Sequence, residues 1–147
     1  MKIADLLNSQ LVAFLDVSTR DEAIDGLIAL LDEQGMLPHR EHFRAAIMHR
    51  EKLVSTGIGI GVAVPHAKLS ELGRFFIAIG IQRHKGIDWN ALDKTPVRLI
   101  FLIGGPDDRQ SEYLQILSQL TTAIKEEDLR KKMLKAVTPE EVVALFS

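Results

Sequence analysis

The chain has 147 residues, of which 46% are hydrophobic and 26% charged, with a formal net charge of −2 and no cysteine. That length suits one globular domain with a real core, so residues 1–147 are expected to form a single domain. The small net charge leaves no footprint for nucleic acid, and the missing cysteines exclude disulfides, thiolate nucleophiles and cysteine-ligated metals, as suits a reducing compartment.

The opening "MKIADLLNSQ" sets Asp5 and Asn8 where a signal peptide needs an unbroken apolar stretch. "LVAFLDV" (11–17) reads as a first strand. Thr19 and Glu22 then make a capping box, and Ile24, Leu27, Ile28 and Leu31 recur at helical spacing. That helix ends near Gly35, with Pro38 as a stop signal. A second helix carries Phe43, Ala46 and Ile47 and reaches about Glu51.

The middle third changes character. "VAV" (62–64), "FFIAIGI" (75–81) and "VRLIFLI" (97–103) are continuous β-branched or aromatic runs, the pattern of strands covered on both faces. None approaches the length needed to span a bilayer, and the expected location is the cytoplasm, without membrane insertion. Residues 83–96 read as a loop, anchored by Trp89. Beyond it, Tyr113, Leu117, Leu120 and Ile124 form a helical stripe, Leu129 and Met133 mark a further helix, and Thr138-Pro139-Glu140-Glu141 starts a last one. The prediction is an α/β domain with a central mixed sheet flanked by helices on both faces.

"STGIGIGVAVPHA" (55–67) holds three glycines at alternate positions, followed by a strand-like run and Pro65-His66. A dinucleotide or phosphate loop puts its glycines after a strand and at the start of a helix, whereas Gly57, Gly59 and Gly61 precede the strand. The G-x-G-x-x-G spacing also fails. A tight glycine turn, a strand ended by Pro65 and a histidine at the strand terminus fit better. Local pattern alone leaves His66 evenly balanced between a presented reactive group and an ordinary loop histidine.

A longer pattern covers the same stretch. Glu51, six further positions, Ile58-Gly59, two more positions and then Val62-Ala63-Val64-Pro65-His66-Ala67 resemble the active-site signature of enzyme IIA domains of the bacterial phosphotransferase system, fructose/mannitol family (type 2). "REKLVSTGIG" and "PHAKL" are similar to the fructose-type and nitrogen-regulatory branch, and the likeness runs on through "GIDWNALDKTPVRLIFLI" to "TPEEVVALF". The resemblance implies the type-2 IIA fold and a phosphotransferase component working through phosphohistidine, with no cofactor and no metal. His66 would accept a phosphoryl group from a phosphocarrier protein, HPr or its nitrogen-branch counterpart. It would pass that group to a IIB domain in sugar transport, or display it to regulatory target proteins in nitrogen regulation. Arg50 would stabilise the phosphoryl group, Ser55 and Thr56 would add hydroxyl donors, and Glu51 would orient Arg50 or His66 or cap a helix.

The departure from the pattern is Tyr113, which stands where the family carries a second active-site histidine. A tyrosine offers a neutral O–H in place of a charged donor. The alternative reading is therefore a regulatory binding protein with weak or lost phosphotransfer. The absence of fused IIB, IIC or carrier segments in this chain leans the same way.

Other features point elsewhere. His39, His42 and His49 suggest a metal site by spacing, but with Pro38 at the start and no carboxylate fixed among them they read as a solvated helix face. His84 belongs to a basic loop, and "KEEDLRKKMLK" (125–135) is a charged amphipathic helix. No G-x-S-x-G elbow supports a serine hydrolase.

Overall fold

In a computed structural model, which describes residues 2–147, two 3-10 turns (Ile3–Leu6 and Ser9–Leu11) lead into strand β1 (Val12–Leu15). Helices α1 (Arg20–Glu33) and α2 (Arg40–Leu53) follow, then strands β2 (Gly57–Gly59), β3 (Val62–Ala63), β4 (His66–Lys68), β5 (Phe76–Gln82) and β6 (Leu99–Gly105). Helices α3 (Gln110–Ile124), α4 (Glu127–Lys135) and α5 (Pro139–Ala144) close the chain.

The sheet runs β1-β5-β6-β3-β2, with β4 also on β6. It is mixed: β1 is parallel to β5, β3 and β4 are parallel to β6, and the β5/β6 and β2/β3 pairs are antiparallel. Every residue of β5 and β6 is buried, which explains their unbroken apolar sequences. Their side chains alternate between two cores. Phe76, Ala78, Ile100 and Leu102 meet Ile24, Leu27, Ile28, Phe43 and Ile47 of α1 and α2. Ile77, Ile79, Phe101 and Ile103 meet Tyr113, Ile116, Leu120, Met133 and Val142 of α3, α4 and α5. Helices thus cover both faces, as predicted.

The start signals hold. Thr19 Oγ1 accepts from the Glu22 N–H at 3.2 Å while the Glu22 carboxylate accepts from the Thr19 N–H at 3.1 Å, and Thr138 caps α5 ahead of Pro139. Four differences matter. The first strand is shorter than residues 11–17. Residues 97–98 do not join β6, because Val97 exchanges two 2.8 Å backbone bonds with Ile87 in a bridge that closes the loop. On α3 the buried stripe is Tyr113, Ile116, Leu120 and Ile124, with Leu117 only half-covered.

The fourth difference shapes the site. Pro65 interrupts the strand instead of ending it. Proline has no N–H for the ladder, but its carbonyl accepts from the Ile103 N–H at 2.9 Å, so pairing with β6 resumes one residue later. His66 therefore opens β4. Alongside, Gly104 and Gly105 end β6, and a Cβ there would fall 2.3 Å from Phe76 and 2.0 Å from Phe75. Only glycine lets those rings pack against the end of β6. No helix among the described residues is long and apolar enough to cross a membrane.

Candidate functional site

Alternation fixes the direction of His66. Val62 and Val64 enter the core beneath α3, and His66 and Lys68 continue that face, while Ala67 turns toward α1 and α2. The half-buried His66 ring sets Nδ1 3.0 Å from the Val64 carbonyl oxygen. A carbonyl can only accept, so Nδ1 carries the hydrogen and Nε2 keeps its lone pair. Burial lowers the proton affinity of His66 below the ordinary histidine value. The Val64 bond opposes burial in part, the lesser charges of Arg50 and Lys68 act with burial, and Glu51 opposes weakly. At neutral pH this is an uncharged imidazole with a defined nucleophilic nitrogen.

The turn before it is built by glycine geometry. Gly59 (φ 93°) and Gly61 (φ 77°) flank Ile60 (φ 54°), all in the left-handed region. Asp93 holds this turn from the loop, accepting from the N–H groups of Ile60 at 3.0 Å and Thr95 at 2.9 Å. A Cβ on Gly59 would lie 2.9 Å from the Asp93 carboxylate.

Behind the turn runs a buried polar chain. Glu51, 4% exposed, accepts from the Thr56 N–H at 3.3 Å and from the Thr56 hydroxyl, whose oxygen accepts from Trp89 Nε1 at 3.1 Å. The Ser55 hydroxyl donates to the Trp89 carbonyl at 2.5 Å and accepts from the Gly57 N–H. Both hydroxyls thus donate within this chain. The physical reason is burial: Glu51 needs partners once it leaves water, and Thr56 supplies them. Trp89 is the anchor of its loop, 1% exposed.

Arg50 lies at the last turn of α2, where its Nη1 donates to the Val54 carbonyl at 2.6 Å. Its charge reaches both His66 and the Tyr113 phenol. Tyr113, in the first turn of α3, is buried with its ring centroid 5.7 Å from that of His66 and 6.4 Å from that of Phe75. Burial pushes its phenol above the ordinary range, with Arg50 opposing, so the group is neutral at physiological pH. The structure brings His66, Arg50 and Tyr113 together. It adds Lys68, whose Nζ sits 4.4 Å from the Tyr113 ring centroid and donates to Gln110 Oε1. The signal for Lys68 was in the sequence: two residues apart on a strand is the same face.

A profile of the family described as "Phosphoenolpyruvate-dependent sugar phosphotransferase system, EIIA 2" matches residues 5–147. The chain belongs to this family. A fructose-specific EIIA component of Haloferax volcanii is 34% identical over 125 residues, 85% of this chain and 80% of that protein. A fructose-specific EIIABC component of Bacillus subtilis is 32% identical over 148 aligned residues, with all of this chain covering 23% of that protein. The chain therefore spans about a quarter of that relative. Among solved structures, the nitrogen regulatory protein IIA-Ntr of Neisseria meningitidis superposes with a TM-score of 0.90 at 27% identity, covering 99% of both chains.

One further cluster of this EIIA 2 chain corrects the sequence reading. A carboxylate does join two of the helix-face histidines: His42 Nδ1 lies 2.9 Å from Glu71 Oε1, and the His39 and His42 ring centroids are 4.7 Å apart. The donor atoms of His39, His42 and Glu71 lie within 4.8 Å of one another. Glu71 comes from the turn after β4, a tertiary contact that helix spacing cannot reveal. Both histidines are exposed, and His49 is outside the group.

Proposed function

We propose that this protein is a phosphoryl carrier in which Nε2 of His66 takes a phosphoryl group from the phosphohistidine of a phosphocarrier protein, HPr or its nitrogen-branch counterpart. The observation that carries the reading is the bond from His66 Nδ1–H to the Val64 carbonyl, which leaves the lone pair on Nε2. In the transfer, the P–N bond to the donor imidazole breaks and returns its electron pair to that ring, while a new P–N bond forms to Nε2. No proton needs to move at His66: Nδ1–H stays in place, and the Val64 carbonyl steadies the positive charge the ring gains. Such transfers depend on position and charge stabilisation more than on a base. Arg50 suits the equatorial oxygens, because its fork can form paired bonds that an ammonium cannot. Ser55, Thr56 and Glu51 act one step back, by fixing the turn that aims β3 and His66.

The family and the names of its relatives support a place in sugar phosphotransfer or nitrogen regulation, and the Bacillus protein's name joins A, B and C components. On this reading the partners are a phosphocarrier and either a IIB domain or regulatory targets, met in the cytoplasm. The test is intact mass after incubation with phosphoenolpyruvate, enzyme I and either carrier type. One acid-labile phosphoryl group is expected, absent in His66→Ala.

Tyr113 favours a second reading, a partner-binding protein with slow or lost transfer, because a neutral phenol occupies a position against the reacting ring. Tyr113→His is expected to raise the phosphorylation rate by about tenfold or more, since a charged donor replaces a neutral one. An unchanged rate would show that Tyr113 only packs. No labelling with either carrier would leave the binding protein standing.

A further inference from the structure

We propose that Lys68 is a direct cationic ligand of the phosphoryl group on His66, a catalytic residue paired with Arg50. The inference rests on the carrier reading given above. A phosphoryl group brings two negative charges into a half-buried site, and the ring that faces it, Tyr113, is neutral. Lys68 is the cation the fold puts beside it. His66 and Lys68 leave the same face of β4, with the buried Ala67 between them paired to Gly104. Tyr113 lies against both, its ring centroid 5.7 Å from that of His66 and 4.4 Å from Lys68 Nζ.

The anchors of Lys68 matter as much as its place. Its ammonium rests on a π face and donates to the amide oxygen of Gln110, and both partners are uncharged. No carboxylate pairs with it among the described residues: Glu112 faces Arg109 at 3.8 Å, and Glu51 is committed to Thr56. Its full charge is therefore available. A lysine stem has rotatable bonds enough to leave a neutral amide for an incoming dianion. Burial is the main cause of the lowered proton affinity of His66, and the charge of Lys68 adds to it in the same direction. Tyr113 is then the platform that holds the ammonium beside the reacting nitrogen.

The test compares wild type, Lys68→Met and Lys68→Arg. Methionine keeps an unbranched apolar stem of similar length and removes the charge. Phosphorylation at saturating carrier is expected to slow ten- to a hundredfold in Lys68→Met, with KM for the carrier nearly unchanged and most of the rate restored in Lys68→Arg. A second measurement is independent of any carrier: titration with inorganic phosphate, followed by NMR on the His66 ring. Lys68→Met is expected to bind phosphate at least several-fold more weakly than wild type.

Equal phosphate affinity in wild type and Lys68→Met, or no response of His66 to phosphate in either, overturns the role of Lys68. A wild-type rate in Lys68→Met does the same while leaving His66 as carrier. Labelling that survives in His66→Ala, or no labelling of wild type, instead overturns the carrier reading, and the phosphate titration then still decides Lys68.

Discussion

Helix α2 carries a cluster of ionisable side chains at each end, and the two clusters are chemically unlike. At its N-terminus, His39 and His42 meet Glu71 on the open surface, and the His42 side chain is 62% exposed. Its Nδ1 faces a carboxylate, in the kind of ion pair that contributes only about 0–1 kcal/mol. At the C-terminus, Arg50 and Glu51 meet His66. There the imidazole Nδ1 faces a backbone carbonyl, which fixes its tautomer, while the carboxylate of Glu51 is drawn away into the bonds with Thr56. A poised nucleophile needs more than clustered donors. It needs one nitrogen pinned by a neutral acceptor, the other left free, and cations whose charge is not cancelled by a neighbour.

The largest expected effect comes from removing a histidine from the cluster at each end of α2. His66→Ala is expected to abolish phosphorylation, and His42→Ala to leave its rate unchanged, as read by intact mass over time. Loss of labelling in His42→Ala would erase the distinction between the two ends. Next comes Arg50. Arg50→Lys is expected to lower the transfer rate by about a hundredfold, because a point charge replaces a planar fork. An equal rate in Arg50→Lys would mean that only charge is needed there.

A smaller effect concerns stability. Thr56→Val leaves Glu51 without its hydroxyl donor and the Trp89 N–H without an acceptor, both buried. The expected loss is about 1–3 kcal/mol by denaturant unfolding. Glu71→Gln at the other end is expected to cost less, about 0–1 kcal/mol, since it weakens a pair whose histidine is exposed. Equal losses would show that burial does not separate the two clusters.

The two-sided core was readable because β5 and β6 are apolar at nearly every position, and a continuous run of that length has to be covered on both faces. The caps at Thr19 and Thr138 were readable because they depend on residues three positions apart. The resumption of the strand at His66 was not. It depends on the Pro65 carbonyl meeting Ile103, almost forty residues away, and no local rule predicts that a proline will interrupt a strand without ending it. The direction of Thr56 was hidden for the same reason, since only the folded chain shows Trp89 and Glu51 on either side of its hydroxyl. Lys68 lay between these cases. Its shared face with His66 follows from a two-residue spacing, but its contact with Tyr113 requires α3 to pack over β4.

The finest test is the pH response of the end that holds His66. Burial and the cations lower the pKa of His66 below its ordinary value near 6.5. Nε2 is therefore already free at pH 7, and the phosphorylation rate is expected to be flat from there upward. It falls only on acidification through a midpoint below 6.5, where Nε2 becomes protonated. The sign for stability follows. Between the lowered folded value and the ordinary unfolded one, the unfolded chain binds more protons at this residue, so the contribution of His66 to stability is fully present above the unfolded value and is lost as pH falls toward the folded one. Replacing Arg50 by Met removes a cation and is expected to raise the His66 midpoint toward 6.5, which ring-proton NMR would detect. An unmoved His66 midpoint would mean that the field of Arg50 does not reach the half-buried ring, and that burial alone sets its proton affinity.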